Sequence, residues 1–472
     1  MKRTKLDTSD SCLSLNEFEV PEGWEIKKLS EVTKKVPTIK PESEPERIFG
    51  YVDISSINNE TNQIVDFKKI RGEDAPSRAK QSIQPNDVLF SNVRTYLRNI
   101  AIVPNNLEVE VCSTGFTVLR SEGSIDPKFL FYYTLTDDFI NGVTPQQTGS
   151  QYPATTDRVV KDAKIPLPPL AEQEHIVVRV EALLMQVNAA RDRLSRVPLI
   201  MKKFRQAVLA AACEGRLTEG WREENPGSEP VKTLLENINK RRGSKKVDHL
   251  KKIQPILDEL NEIPDIWAWT QIGFIMESMK NGVYKTPNFY KDDGFPCLRM
   301  YNIEDGKIIW KNIKHMDLSD DEISTYLLKQ NDILINRVNS RELVGKSALI
   351  TNEIEPCVYE SKNIRLRMFN EEIDSQYVVF WLQVDAQKYF SLNAQQTVGM
   401  ASINQDQIAS MPIPLPPLAE QHEIVRRVNA LFERADHIEQ QVRGATKCIE
   451  ALTQAVLGKA FRGELVAPGA VE

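Results

Sequence analysis

Two short segments carry the side chain types with which proteins recognise DNA bases. Residues 91–98 include Asn92, Arg94 and Arg98, and a second segment contains Asn336, Arg337, Asn339, Arg341 and Lys346. Arginine can donate two hydrogen bonds to guanine, and asparagine can pair with adenine, in the major groove. Loops rich in arginine and asparagine are also common on surfaces that bind no nucleic acid. These segments therefore leave two interpretations open, DNA recognition and an ordinary solvated surface.

Polar loops that contain glycine follow further along the chain, at residues 148–152 and 397–402. They add Gln151, Tyr152, Ser402 and the nearby Asn404 to the candidate DNA-binding residues. Both segments and both loops occur in the same order, which indicates two domains built on one plan.

Motifs for catalysis are incomplete in this sequence. Gly345-Lys346-Ser347 resembles the end of a phosphate-binding loop, but Ser340 occupies the position of its first glycine. Leu167-Pro168-Pro169-Leu170 lacks the polar and aromatic groups with which amino-methyltransferases hold a base. We find no nucleophile–base or metal-ligand pattern, so the sequence predicts a protein with no catalytic residues, metal or cofactor of its own.

The length of the chain indicates two or more domains. The chain has 472 residues and a formal charge of −6, with no apolar run near the ~20 residues that span a bilayer. The six cysteines are widely spaced, which favours a reducing cytoplasm. One basic stretch, residues 240–252, is either a solvated linker or a linker that also contacts DNA phosphates.

The elements before the candidate loops also recur. Residues 85–90 and 330–335 each predict a turn followed by a buried strand, and helices are predicted at 127–140 and 375–390. Near the start of each domain we match Trp24 with Trp269. The plan is shared while the surface residues differ, so we expect duplicated domains with different ligands.

The strongest repeat is IPLPPLAEQEHIVVRVEAL from Ile165, which returns as IPLPPLAEQHEIVRRVNAL from Ile413 with fifteen of nineteen positions identical. Proline suits a first helical turn, and Gly215 and Gly463 mark the two helix ends. Each helix should be about 45 residues and roughly 65 Å long. Apolar residues follow with alternating spacings of four and three, the pattern of a coiled-coil seam. The predicted seam consists of Ile176, Val180, Leu183, Val187, Leu194, Met201, Phe204, Val208, Ile424, Val428, Leu431, Ile438, Val442, Ile449, Leu452 and Val456.

Two such helices in one chain can cover each other's seams by pairing antiparallel, although each could instead pack only on its own domain. Pro198 predicts a kink in the first helix. We therefore predict an α+β protein with a pseudo-twofold internal repeat, in which two α/β domains are separated by a long antiparallel two-helix coiled coil. The predicted boundaries are 1–20 for an N-terminal lead-in, 21–164 and 263–412 for the two domains, which the family resemblance described next implies are target-recognition domains, 165–217 and 413–472 for the helices, and 218–262 for a connector.

The chain resembles the specificity subunits of type I restriction–modification enzymes over nearly its whole length. The resemblance is carried by PEGW at residues 21–24, both PLPPLAEQ copies with their I-V-x-R-V continuations, both Q-A-V-L segments from Gln206 and Gln454, and KAFRGEL at 459–465. It differs in its longer lead-in before PEGW and its short sequence after KAFRGEL.

The resemblance implies that each domain binds one half of a split double-stranded DNA target. It also implies two methyltransferase subunits that use S-adenosylmethionine to methylate adenine N6, and motor/nuclease subunits that use ATP and Mg²⁺ for restriction. The helices would then set the unread gap between the half-sites. Two alternatives are a stand-alone two-headed DNA-binding regulator, which would bind DNA without partners, and an acidic decoy protein, which would not bind DNA.

Overall fold

The computed structural model describes residues 20–146, 153–242, 262–393, 395–397 and 399–465. The chain forms two compact units, Met1–Arg196 with Val442–Glu472, and Val197–Gln441. Each unit therefore combines one recognition domain with helical segments from both copies of the repeat. The predicted division into separate domains and helices does not follow these units, because each helix contributes residues to both.

The first unit contains a mixed domain and the first long helix. Its elements are β1 (Glu25–Lys28), α1 (Leu29–Val32), β2 (Thr33–Lys34), β3 (Ile48–Val52), β4 (Ile57–Asn58), β5 (Gln63–Ile64), β6 (Lys68–Arg71), β7 (Ala79–Ser82), β8 (Val88–Ser91), β9 (Ile100–Ile102), β10 (Val111–Ser113), β11 (Phe116–Ser121), α2 (Pro127–Thr134), α3 (Asp137–Val143), α4 (Asp157–Asp162), β12 (Lys164–Leu167) and α5 (Leu170–Ser195). Two four-stranded sheets, ordered β6-β3-β10-β7 and β2-β11-β8-β9, form the body of the domain.

The second unit repeats this order after a helical segment. Its elements are α6 (Val197–Cys213), α7 (Glu219–Glu224), α8 (Val231–Arg242), β13 (Ala268–Gln271), α9 (Ile272–Ile275), β14 (Met276–Asn281), β15 (Tyr290–Leu298), β16 (Ile303–Glu304), β17 (Lys307–Ile308), β18 (Lys314–Met316), α10 (Asp320–Tyr326), β19 (Ile333–Asn336), β20 (Val338–Asn339), β21 (Ser347–Leu349), β22 (Val358–Tyr359), β23 (Asn363–Met368), α11 (Ser375–Asn393), β24 (Gln395–Thr397), β25 (Met400–Ser402), α12 (Gln405–Ser410) and β26 (Pro412–Leu415). The last helix, α13 (Leu418–Phe461), begins here and ends in the first unit.

The sheets confirm the predicted duplication. The sheet β14-β23-β19-β21 has the order of β2-β11-β8-β9, and β13 pairs with β26 as β1 pairs with β12. A parallel pair also recurs, β3 with β10 and β15 with β22. The central strands β8 and β19 are buried along their whole length, as continuous apolar runs predict.

A buried ion pair anchors the central strand of each domain. Asp87 accepts hydrogen bonds from Nε and Nη2 of Arg120 at 2.8 and 2.7 Å, and Asp332 accepts the same pair from Arg367, both at 2.7 Å. Each aspartate follows an asparagine in the left-handed region, with φ of +69°. Because a bidentate pair fixes the geometry of both side chains, the strand leaves this turn in the same direction in both domains.

The repeated PLPPLAEQ segment fastens each long helix to its domain. Gln173 accepts from the backbone N–H of Asp126 at 2.7 Å and donates to the Pro168 carbonyl at 2.9 Å. Gln421 makes the equivalent bonds to Asp374 and Pro416, at 2.8 and 2.9 Å. Both glutamines are fully buried, so the motif has a structural role at the N-terminus of the helix.

The glutamate of the same motif identifies the matching tryptophans. Glu172 accepts from Nε1 of Trp24, and Glu420 accepts from Nε1 of Trp267. The predicted match of Trp24 with Trp269 was wrong, since Trp269 lies on β13 and packs edge-on against Trp381. Two tryptophans stand within three residues, and the side-chain bond to Glu420 together with the backbone bond to Pro264 identifies Trp267 as the match.

The helical segments pair antiparallel within each unit. In the first unit, Arg191 of α5 donates to Thr453 of α13, and Val180 shares a core with Leu457 near the other end of the pair. In the second unit, Arg205 of α6 bonds Asp436, while Arg427 donates to the Leu217 carbonyl. As sequence numbers rise on one segment they fall on the other, as predicted.

The helix of the first repeat is interrupted, whereas that of the second is continuous. α5 ends at Ser195 and α6 begins at Val197, next to Pro198, while α13 runs for 44 residues. This agrees with the kink predicted from Pro198, whose ring and missing N–H disrupt the preceding turn. Gly215 and Gly463 are both left-handed and end the two helices as predicted.

Burial follows the predicted seam at most positions and departs from it at two. Ile438 and Leu452 are 41% and 50% exposed. The buried face is displaced by one residue at these points. Glu439 pairs with Arg205 there, and Thr453 accepts from Arg191. The remaining predicted residues are buried or partly buried: Ile176, Val180, Leu183, Val187, Leu194, Met201, Phe204, Val208, Ile424, Val428, Leu431, Val442, Ile449 and Val456.

The predicted connector is partly built into the second unit. Val231, Leu234 and Ile238 of α8 belong to its main core, and Arg242 donates to the carbonyl of Phe274 at 2.6 Å. The basic stretch 240–252 continues from this helix into residues outside the described part of the chain.

Candidate nucleic-acid interface

The candidate loop of the first domain begins where β8 ends. Arg94 and Arg98 are both left-handed, with φ of +50° and +53°, and they flank a short 3₁₀ turn on which Tyr96 is exposed. Non-glycine residues in this region cost conformational energy and are enriched at binding sites. The Arg94 amide donates to the Pro153 carbonyl at 2.8 Å. The loop after the strand therefore lies against the segment that follows the predicted glycine loop.

Asn92 is a structural residue, contrary to its prediction as a base contact. It is buried, its Nδ2 donates to Asp157 at 3.1 Å, and its Oδ1 accepts from Thr117 at 2.8 Å. Thr117 also lies 2.7 Å from Asp157. Both ends of the amide are satisfied inside the domain, so neither is presented to a base.

Arg98 is also engaged within the protein. Its guanidinium donates to the Leu135 carbonyl at 2.9 Å and to the Asp137 carboxylate. These bonds tie the loop to the start of α3, so we assign Arg98 to positioning the loop. Gln151 and Tyr152 lie outside the described residues.

The second domain shows the same division between supporting and presented residues. Asn336 is fully buried and donates to Asn363 at 3.2 Å, while its own oxygen accepts from Asn339 at 2.9 Å. The oxygen of Asn339 accepts from the Ser340 amide at 2.9 Å. These two asparagines shape the turn after β19, and their burial, which spacing does not reveal, disfavours the predicted contact with a base.

The other candidates in this domain lie closer to the surface. Arg341 is exposed, and Arg337, Lys346 and Ser402 are partly buried. Val338 pairs with Ser402, and the Ile403 amide donates to the Arg337 carbonyl at 2.9 Å, so the two predicted loops meet. Asn404 instead caps α12 by accepting from the Gln407 amide at 2.8 Å. Arg337, Arg341, Lys346 and Ser402 remain candidates for DNA contact.

Two residues escaped the sequence analysis, Arg299 and Tyr301. They lie at a 3₁₀ turn directly after β15, and Tyr301 is 70% exposed. The signal in the sequence is the same as at residues 91–98, an arginine and an aromatic residue just after the buried end of a strand. The nearby Tyr290 stays protonated, because burial, followed by the charge of Glu360, raises its pKa to about 12.

The arrangement can bind and discriminate, and no reactive centre accompanies it in the part of the chain that is described. There, no cluster of histidine, cysteine or carboxylate side chains could hold a metal ion. None of the described helices is long and apolar enough to cross a bilayer. Two mixed domains, each with polar loops at the ends of a buried central strand, define a class of two-domain recognition proteins.

Comparison with known proteins gives the family. The model of the type I restriction modification DNA specificity domain matches residues 21–195 and 264–444, one match for each repeat. This chain belongs to that family.

Relatives align over nearly the whole chain. The EcoKI specificity subunit of Escherichia coli K12 is 30% identical, with 95% of this chain and 90% of the relative covered. The StySPI specificity subunit of Salmonella potsdam is 29% identical, with 96% and 91% covered.

Solved structures agree with this assignment. A chain from a study of complex assembly and conformational transition in the type I restriction–modification system aligns with a TM-score of 0.72 at 26% identity, covering 95% of this chain and all of the other. The HsdS subunit of Thermoanaerobacter tengcongensis aligns with a TM-score of 0.54 at 26% identity, covering 95% and 99%.

Proposed function

We propose that this chain selects the DNA sequence for a type I restriction–modification complex, with each domain recognising one half of a two-part target. The observation that carries this function is a duplicated frame with different surface residues. Asp87–Arg120 and Asp332–Arg367 hold the two central strands identically, whereas the loops after those strands differ in sequence. One frame with two surfaces suits two different half-sites.

The candidate contacts are then divided by role. Arg94, Arg337, Arg341, Lys346 and Ser402 are proposed to face DNA, together with Gln151 and Tyr152. Asn92, Arg98, Asn336, Asn339 and Asn404 are assigned to supporting the loops through hydrogen bonds within the domains. Arginine and lysine supply the charge for phosphate contact despite the acidic total, because binding depends on local charge.

Catalysis is proposed to come from partner subunits. Two methyltransferase subunits would bring S-adenosylmethionine for adenine methylation, and motor/nuclease subunits would use ATP and Mg²⁺, all in the cytoplasm. The relatives are named as subunits of restriction enzymes, which favours this complex over a stand-alone regulator. We further propose that helix length sets the unread gap, so that deleting one heptad should shift the preferred gap.

The decisive experiment is co-purification with the products of neighbouring genes, followed by mapping of adenine methylation. One methylated bipartite motif is expected. Exchanging residues 20–160 for the corresponding domain of a relative should change one half of that motif only. A change in both halves, or tight sequence-specific binding by the isolated chain with no methylation in the complex, would contradict the proposal.

A further inference from the structure

The turn after β15 is a rigid platform for the exposed side chain of Tyr301 and the partly buried side chain of Arg299. The Arg299 amide donates to Oδ1 of Asn302 at 2.9 Å, and the Met300 amide donates to Glu360 at 3.0 Å. Nδ2 of Asn302 donates to the carbonyls of Ile309 and Lys311, at 3.1 and 3.0 Å. Asn302 is almost fully buried, so these bonds are shielded from water. The backbone of the turn is therefore fixed before any ligand arrives.

Arg299 and Tyr301 form a cation–π pair on this platform. The guanidinium carbon of Arg299 lies 5.4 Å from the centroid of the Tyr301 ring. The Nε of Arg299 is buried without a hydrogen-bond partner, and no carboxylate among the described residues forms an ion pair with Arg299. Contact with the ring restricts the orientations that the Arg299 side chain can adopt.

The matched turn of the first domain shows that the second domain alone carries this pair. β3 and β15 occupy the same place in the sheets, and Asp53 and Ser55 stand where Arg299 and Tyr301 stand. The Asp53 amide donates to Ser56 at 3.1 Å, as the Arg299 amide does to Asn302. However, the carboxylate of Asp53 accepts from the Ile54 amide at 2.8 Å and is used within the turn.

We propose that Arg299, held against Tyr301, recognises a guanine in the half-site of the second domain. A guanidinium can donate to O6 and N7 of guanine together, and an arginine already stacked on a ring loses less freedom when it does so. This inference rests on the proposed function and deepens it, because it names a specificity-determining residue and its base.

The test uses the assembled methyltransferase complex and a panel of duplexes in which each base pair of the target is replaced in turn. Arg299→Ala should lower the preference for one G·C pair of one half-site by about tenfold to hundredfold. Arg299→Lys should lose the same preference and retain affinity for non-cognate DNA, because lysine keeps the positive charge but cannot donate two hydrogen bonds to one base as the guanidinium does. Tyr301→Phe should retain the preference and Tyr301→Ala should weaken it.

Ser55→Ala is the matched control in the first domain and should leave both half-sites unchanged. A uniform loss of affinity on every duplex, with a smaller salt dependence, would mean a phosphate contact and would overturn the proposal, as would an unchanged preference in Arg299→Ala. Thermal unfolding of each variant complex separates these results from misfolding. If Arg299→Ala does not fold, the base preference of Arg299→Lys tests the proposal. If the wild-type complex itself prefers no bipartite sequence, the proposed function fails before any variant is compared.

Discussion

Nε1 of Trp267 donates a 2.7 Å hydrogen bond to Oε2 of Glu420, joining the start of the second domain to the N-terminus of α13. The other oxygen of Glu420 accepts from Thr218 and from Arg222, both at 2.6 Å. In the first unit, the equivalent Glu172 accepts from Trp24 at 3.2 Å and is partly exposed. The same motif is therefore stabilised to different degrees in the two units.

Glu420→Gln should destabilise the second unit by about 3 kcal/mol, since it leaves the largely buried Arg222 without its charged partner. Glu172→Gln should cost the first unit about 1 kcal/mol, the value of one hydrogen bond. Hydrogen exchange resolved by unit measures both changes. Equal losses in the two variants would contradict the difference in burial.

Replacing either glycine at a helix end should destabilise the protein. A Cβ on Gly215 would lie 2.5 Å from Cγ of Pro264, and one on Gly463 would lie 2.3 Å from Cγ of Pro21. Both residues are also left-handed, which costs an alanine about 1–2 kcal/mol before any contact is counted. Denaturant unfolding of Gly215→Ala and Gly463→Ala should show at least that loss.

Gly444→Ala is the control for these variants. Gly444 lies inside α13 with no neighbouring atom within 4 Å of an added Cβ. Alanine should therefore stabilise this helix by up to about 1 kcal/mol. If Gly215→Ala or Gly463→Ala were more stable than wild type, neither the contact with the proline nor the left-handed backbone would cost stability, which would contradict the prediction.

Asn336→Ala should reduce stability and leave the recognised sequence unchanged. The substitution removes the acceptor of Asn339 Nδ2 and the donor to Asn363 Oδ1, at a cost of about 1–3 kcal/mol. Thermal unfolding and methylation mapping test the two parts. Lys346→Ala is the contrasting variant, since loss of a phosphate contact should weaken binding on all sequences and reduce the salt slope by about one. An altered motif in Asn336→Ala would return this residue to the base-contacting set.

Glu423 should make the stability of the second unit depend on acid pH. Hydrogen bonds from Arg426, and then from Arg427, lower the pKa of this carboxyl to about 2. A carboxyl whose folded pKa is depressed contributes stability that is complete above its unfolded pKa, near 4.5, and is lost as the pH falls towards 2. The stability difference between wild type and Glu423→Gln should therefore be constant above about pH 5.5 and shrink steadily as the pH falls from there through 2. A difference that is as large at pH 2 as at pH 6 would contradict this account.

Periodicity and repetition were sufficient to predict the duplicated domains and the antiparallel pairing of the helices. Both depend on backbone geometry and on long apolar patterns. The roles of single polar residues were harder to predict. Asn92 and Asn336 have the residue type of a base contact, yet they are buried where β8 and β19 end. Ile438 was misplaced because Glu439 and its partner Arg205 occupy the paired face, which an apolar pattern cannot show.

The composition of the two units has a consequence for how the protein is made. The second unit is one uninterrupted stretch, Val197–Gln441, whereas the first requires Val442–Phe461 from the end of the chain. Leu457, Ala460 and Phe461 belong to a core otherwise built from residues 24–180. During synthesis on the ribosome, the domain translated first therefore waits longest for its last core residues, and the second unit is the first whose sequence is complete.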